Sequence, residues 1–316
     1  MAKNLILSAG TAKDIDKKVE RVLNGLGNPD PPLRLEDVRE LLKLDLRFYT
    51  ASDPSLADEL VSRIRVATIQ VYKRPTLLLD AIKKLSLKAL YLPDRKRILL
   101  DSTLPVLKHR WNEGHEIGHS ILEWHEELMH GDTEHTLSKE CEEKIESEAN
   151  FAAGRLLFLR DSFTHEALSS APSFNSVESL KKKYGNTYST TLYRFVESIG
   201  EENPILGVIS RHPHRLKAGA DPDAPVRHFI QSKAFKARFG KIVEMDVFCH
   251  IQSYCRNGRG GIIGQTELIL QDDNGDDHRF YFETFFNHHD ALTLGIYLGP
   301  EKIVVAISSS KLKASP

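Results

Sequence analysis

"RWNEGHEIGHSILEWHEELMH", residues 110–130, holds four histidines and five glutamates in one amphipathic run. At its centre is His115-Glu116-Ile117-Gly118-His119. On a helix, residues four apart share a face, so the imidazoles of His115 and His119 can meet one ion while Glu116 lies beside it as a general base. Two histidines leave such a site incomplete, because a catalytic zinc takes three protein ligands and keeps a fourth position open. Three residues compete for the third place. His125 lies ten residues after His115, the metzincin separation, but Leu122 stands where that pattern needs glycine, and an unbroken helix would carry His125 away. Glu123 is four residues beyond His119, where another turn points along the axis and not around the ion. In "EKIESEANFAAGRLLF", residues 143–158, Glu146 and Asn150 are four apart on a second helical stretch, so Glu146 can ligate and Asn150 can orient a ligand.

Outward from this run, the first half reads as mixed α+β. Apolar residues three and four apart predict helices over 11–24, 35–44, 56–72, 76–86 and 138–160, and two shorter helices around "GNTYS" within 176–198. "DLRFYT" is a short strand, and "LKALYLPDRKRILLD" predicts a hairpin over 89–101 turning at "PDRK". The composition shifts at "HPHRLKAGADPDAPVRH", residues 212–228, which reads as a linker or long loop. Most of the chain beyond it is strand-like, with a hairpin through Asn274-Gly275 and a closing "KIVVAISS". The expected architecture is a metallopeptidase-type domain over 1–204 and a β-rich α+β domain over 205–316.

The bulk numbers exclude several classes. With 43 Lys and Arg against 44 Asp and Glu, no global basic field exists to hold nucleic acid. The odd set Cys141, Cys249 and Cys255 suits reduced thiols in a cytoplasm and not a secreted framework. The start, "MAKNLILSAGTAKD", holds no apolar run long enough for a signal peptide, and the reading is of an intracellular protein away from membranes.

The residue pattern supports a family resemblance. "RW" three residues ahead of HEIGH, HEIGH itself, and the downstream "ESEAN" resemble the ImmA/IrrE metallopeptidases, gluzincin-like proteins with a HExxH helix and a second helix bearing E-x-x-x-[DN]. "LKKKYGNTYSTTLYRFVE" resembles the short helix-turn-helix-like unit that comes next in these proteins, and the likeness spans roughly 15–200. It implies a zincin-like fold in which His115, His119 and Glu146 hold zinc, with manganese the alternative, and Glu116 is catalytic. Helical phase agrees for Glu146 over Glu148, since a residue two positions on is rotated by about 200°. The resemblance also implies site-specific cleavage of a regulatory protein, typically a helix-turn-helix repressor of a mobile element or stress response. Residues 205–316 would then recognise a partner or signal. The sequence departs from the family at Glu113, Gly114 and Leu159, positions of packing and not of ligation.

Other features read more plainly. "CHIQSYC" has no usual zinc spacing, and "DDNGDD" lacks the register of a calcium loop and suits a turn. Lys181, Lys182, Lys183 and Arg194 raise direct DNA contact as an alternative, in a metal-bearing regulatory protein that cuts nothing, beside a toxin-antitoxin interaction module. The tyrosines Tyr184, Tyr188 and Tyr193 and the remaining histidines are open candidates for stabilising an oxyanion.

Overall fold

Ser8 opens the first helix, its hydroxyl accepting the Thr11 amide at 3.1 Å, as an N-cap should. Helix α1 (Ala9–Gly25) buries Ile15, Val19, Val22 and Leu23 along one stripe. Helix α2 (Leu35–Leu42) stops where Lys43 turns left-handed at φ 56°. The structure is a computed structural model that describes residues 7–50, 89–92, 96–125, 139–215 and 224–301. The helices expected over 56–72 and 76–86 and the strand at "KIVVAISS" lie outside these residues.

A three-stranded sheet comes next: β1 (Asp45–Tyr49), β2 (Ala89–Leu92) and β3 (Arg97–Asp101), in the order β1-β3-β2. The expected hairpin is its antiparallel half, with Leu90 opposite Leu99, while β1 runs parallel to β3. Central β3 buries Ile98, Leu99 and Leu100 in succession, as a strand covered on both faces does.

Helix α3 (Val106–Ile121) carries HEIGH, and α4 (Lys139–Leu157) carries "ESEAN". Their crossing depends on small residues. A Cβ on Gly118 would lie 2.7 Å from the Ala149 carbonyl oxygen, and one on Gly114 2.8 Å from Leu157. Gly114 is thus a packing adaptation of this sequence. Buried Arg155 holds α4 to its neighbours, pairing with Asp16 of α1 and, at 2.8 Å, with Asp161. The single helix expected over 138–160 ends early because Leu159 and Arg160 both sit at φ 51°, and the chain restarts as α5 (Asp161–Ser169). Helices α6 (Phe174–Tyr184) and α7 (Tyr188–Ile199) flank Gly185 at φ 66°, and the Thr187 hydroxyl caps α7 through the Thr190 amide.

The chain divides into two compact units, 1–171 with 175–198, and 172–174 with 199–316. The second holds a five-stranded antiparallel sheet in the order β5-β4-β8-β7-β6, built from β4 (Ile205–Ser210), β5 (Val226–Gln231), β6 (Gly261–Gln271), β7 (Asp277–Phe286) and β8 (Ala291–Pro300). Residues 233–254, where no particular element was expected in the β-rich half, form α8 (Lys233–Arg238) and α9 (Glu244–Tyr254), with Ser232 capping α8 at the Phe235 amide. Their apolar runs are too short for periodicity to separate helix from strand. Phe235, Phe239, Val247, Phe248 and Ile251 from these helices meet Leu206, Val208, Phe280 and Phe282 from the sheet in one core. The expected loop over 212–228 gives way to β5 at Val226.

Candidate metal centre

His115 and His119 are one turn apart on α3, and Glu146 faces them from α4. His115 Nε2 lies 3.2 Å from His119 Nε2 and 3.1 Å from Glu146 Oε2, and His119 Nε2 lies 3.5 Å from Glu146 Oε1. Three ligands about 2.0–2.1 Å from a tetrahedral zinc stand about 3.3 Å from one another, so this donor set has the spacing such an ion needs. It is the one group of three or more metal-capable side chains found among the described residues. The Glu146 side chain is 48% exposed, which leaves the group open on its side.

The other two candidates for the third position are engaged elsewhere. Glu123 is 84% exposed and pairs with Lys18 at 2.7 Å. The helix does break, at Leu122 (φ −101°, ψ 88°), and the His125 amide closes a turn onto the Leu122 carbonyl. This brings His125 back, though not to the three donors. Its Nδ1 lies 3.0 Å from His119 Nδ1 and its Nε2 3.0 Å from Glu148 Oε2. Glu148, which helical phase turns away from the donor group, is buried on that other side and also accepts the Trp124 indole N–H at 2.7 Å. The sequence reading missed this pair, because its signal is the break at Leu122, which no glycine announces. Asn150 Oδ1 lies 3.1 Å from His115 Nδ1.

Burial acts against charge throughout the site. It pushes the Glu116 carboxyl up to about 7, against the pull of His115 and a Tyr91 backbone hydrogen bond, and Glu146 adds to the rise. For Glu146 itself burial works upward, and the two imidazoles more than reverse it, holding the carboxyl well below the ordinary range. Burial lowers His119, and would lower His115 were it not outweighed by Glu146 and Glu116, which raise it. Tyr49, buried and pushed up to about 12 by burial with the Asp101 and Glu116 charges, is a neighbour of the base that the sequence did not reveal.

Of the remaining candidates, His109 bonds the Asp101 carbonyl at 3.0 Å and lies against Phe48. His130 and His135 are outside the described residues. The Tyr184 hydroxyl donates to Glu166 at 3.0 Å, and Lys181 rests over the Tyr188 ring. Lys182, Lys183 and Arg194 pair with Glu178, Glu166 and Glu197. Arg110 ties α3 to the Leu33 and Tyr184 carbonyls and Asn186, which accounts for its place ahead of HEIGH. Cys249 is exposed and Cys255 buried, and both are free.

A helix pair presenting two histidines and a glutamate, with a buried glutamate between the histidines, defines a centre that could hold a metal ion. Residues 65–196 match the model of the IrrE N-terminal-like domain, Peptidase M78, which supports the likeness of this part of the chain to the ImmA/IrrE family. The solved structure of a Mycobacterium tuberculosis transcriptional regulator is similar over 90% of this chain and 76% of that one, at 15% identity and a TM-score of 0.50, a likeness of fold. No curated protein matches the chain. Among the described residues, no helix is long and apolar enough to cross a membrane.

Proposed function

We propose that the protein is a zinc-dependent cytoplasmic endopeptidase that cuts a regulatory protein at a specific site. The observation that carries this reading is the convergence of His115 Nε2, His119 Nε2 and a Glu146 oxygen, with Glu116 buried one residue from His115. Zinc held by these three residues would polarise a peptide carbonyl and lower the pKa of a water from about 15.7 toward about 7. Glu116 takes the proton of the attacking water and returns it to the leaving amine. Burial raises this carboxyl, which makes Glu116 a stronger proton acceptor than an exposed glutamate. Asn150 holds the His115 ring in place by accepting at Nδ1.

The likeness to the ImmA/IrrE family suggests the substrate class: a transcriptional repressor, of the helix-turn-helix type, controlling a mobile element or a stress response. Residues 205–316 would select that partner or receive the triggering signal. The similarity to a transcriptional regulator also fits a regulatory role, and the rival reading keeps the metal but cuts nothing. Glu116→Gln separates the two. It should keep one equivalent of zinc while cleavage of candidate repressors falls at least about 10²–10⁴-fold. Regulation undiminished in Glu116→Gln would favour the non-proteolytic reading.

A further inference from the structure

Glu148, 3% exposed, and His125, fully buried, form a polar chain that ends on the far side of the His119 ring. A carboxylate only accepts, so the His125 nitrogen 3.0 Å from Glu148 Oε2, Nε2, carries the proton. In the neutral ring Nδ1 is then bare, and it lies 3.0 Å from His119 Nδ1. Two bare nitrogens would repel at that distance, so His119 Nδ1 carries a proton and donates it. His119 is left with a lone pair on Nε2, the atom facing His115 and Glu146.

The corresponding support on His115 is weaker in kind. Asn150 offers Oδ1 at 3.1 Å, but an amide can rotate and offer its NH₂ group, so it accepts either tautomer. Glu148 has no such freedom, and the Trp124 indole N–H at 2.7 Å fixes the same oxygen that His125 uses. We propose that Glu148 and His125 are a positioning relay that selects the Nδ1–H tautomer of His119 and so sets the affinity of the centre for a divalent cation. The affinity half of this proposal rests on the metal reading under Proposed function; the tautomer half does not.

The test uses the full-length chain, with zinc chloride as the probe. Ring ¹⁵N chemical shifts in the metal-free protein should show His119 protonated at Nδ1 and bare at Nε2. His125→Phe removes the acceptor, should mix the two tautomers, and should weaken zinc binding about 10–100-fold in competition with a chromogenic chelator. His125→Gln should restore most of that affinity, since its carbonyl can accept from His119 while its amide donates to Glu148. A wild-type His119 protonated at Nε2 overturns the proposal, as does a folded His125→Phe that binds zinc like wild type. If His125→Phe does not fold, the wild-type tautomer and the His125→Gln affinity decide. If wild type binds no zinc, the metal reading falls, and the tautomer measured without metal still supports or overturns the relay.

Discussion

Each unit of the molecule buries a carboxylate against imidazole, and the two arrangements differ in what they leave unpaired. In the C-terminal unit Asp272 Oδ1 accepts the Asn274 and Asp276 amides at 2.9 and 3.1 Å, while Oδ2 takes Arg238 and His278 at 3.3 and 3.2 Å. The Tyr297 hydroxyl closes the set on His278 Nδ1 at 3.3 Å. Every acceptor there has a donor, and the cluster ties the β6–β7 turn to α8. In the N-terminal unit Asn150 and His125 lie against the Nδ1 atoms of His115 and His119, so both Nε2 atoms face each other and Glu146. A proton on His115 Nε2 or a metal ion can bridge these three donors. The first cluster is closed within the protein, whereas the second brings three metal-capable donors together and is open on the Glu146 side.

The contrast can be broken most sharply at the crossing of α3 and α4. Gly118→Ala puts a methyl 2.7 Å from the Ala149 carbonyl, so the helices must separate. It should cost about 1–3 kcal/mol of stability. Zinc affinity should fall with it, because Glu146 rides on the displaced helix; thermal melts with chelator competition check both. A smaller effect is expected in the closed cluster, from Asp272→Asn. Burial works to raise the Asp272 carboxyl, and the two amides, His278 and Arg238 reverse this and bring it down to about 2. Because that lies below the ordinary 3.8, the carboxylate stabilises the fold fully above about pH 4 and loses this contribution as the pH falls through about 2. Asp272→Asn should therefore unfold more readily than wild type at pH 7, with the gap closing toward pH 2, and zinc binding should not change. The smallest effect should come from Glu123→Gln, which removes only an exposed pair with Lys18: melting and zinc content should match wild type.

Much of this was legible in the sequence because it is local. HEIGH places His115, Glu116 and His119 by helix geometry alone, and the four-residue step from Glu146 to Asn150 needs only one further helix to face the first. The β2–β3 hairpin and the Asn274-Gly275 turn likewise announce themselves through short-range chemistry, Gly275 taking φ 89°. What stayed hidden depends on tertiary contact. Leu122 breaks α3 without glycine or proline, so the return of His125 to His119 could not be read from spacing. Glu148, on the opposite phase of α4 from Glu146, has the sequence signature of a surface residue, and only the fold brings Trp124 and His125 to cover it. Helices α8 and α9 were missed because short apolar runs suit either period, and the sheet's core decided between them.

The central claim, that His115, His119 and Glu146 together hold one divalent cation, is tested most directly by elemental analysis of purified wild type beside Glu146→Gln and Glu148→Gln, each exchanged into metal-free buffer and loaded with zinc chloride. The account predicts one equivalent of zinc in wild type, none retained by Glu146→Gln, and retention at reduced affinity by Glu148→Gln. A wild-type protein that takes up no zinc, or a Glu146→Gln variant that holds it as tightly as wild type, would contradict it.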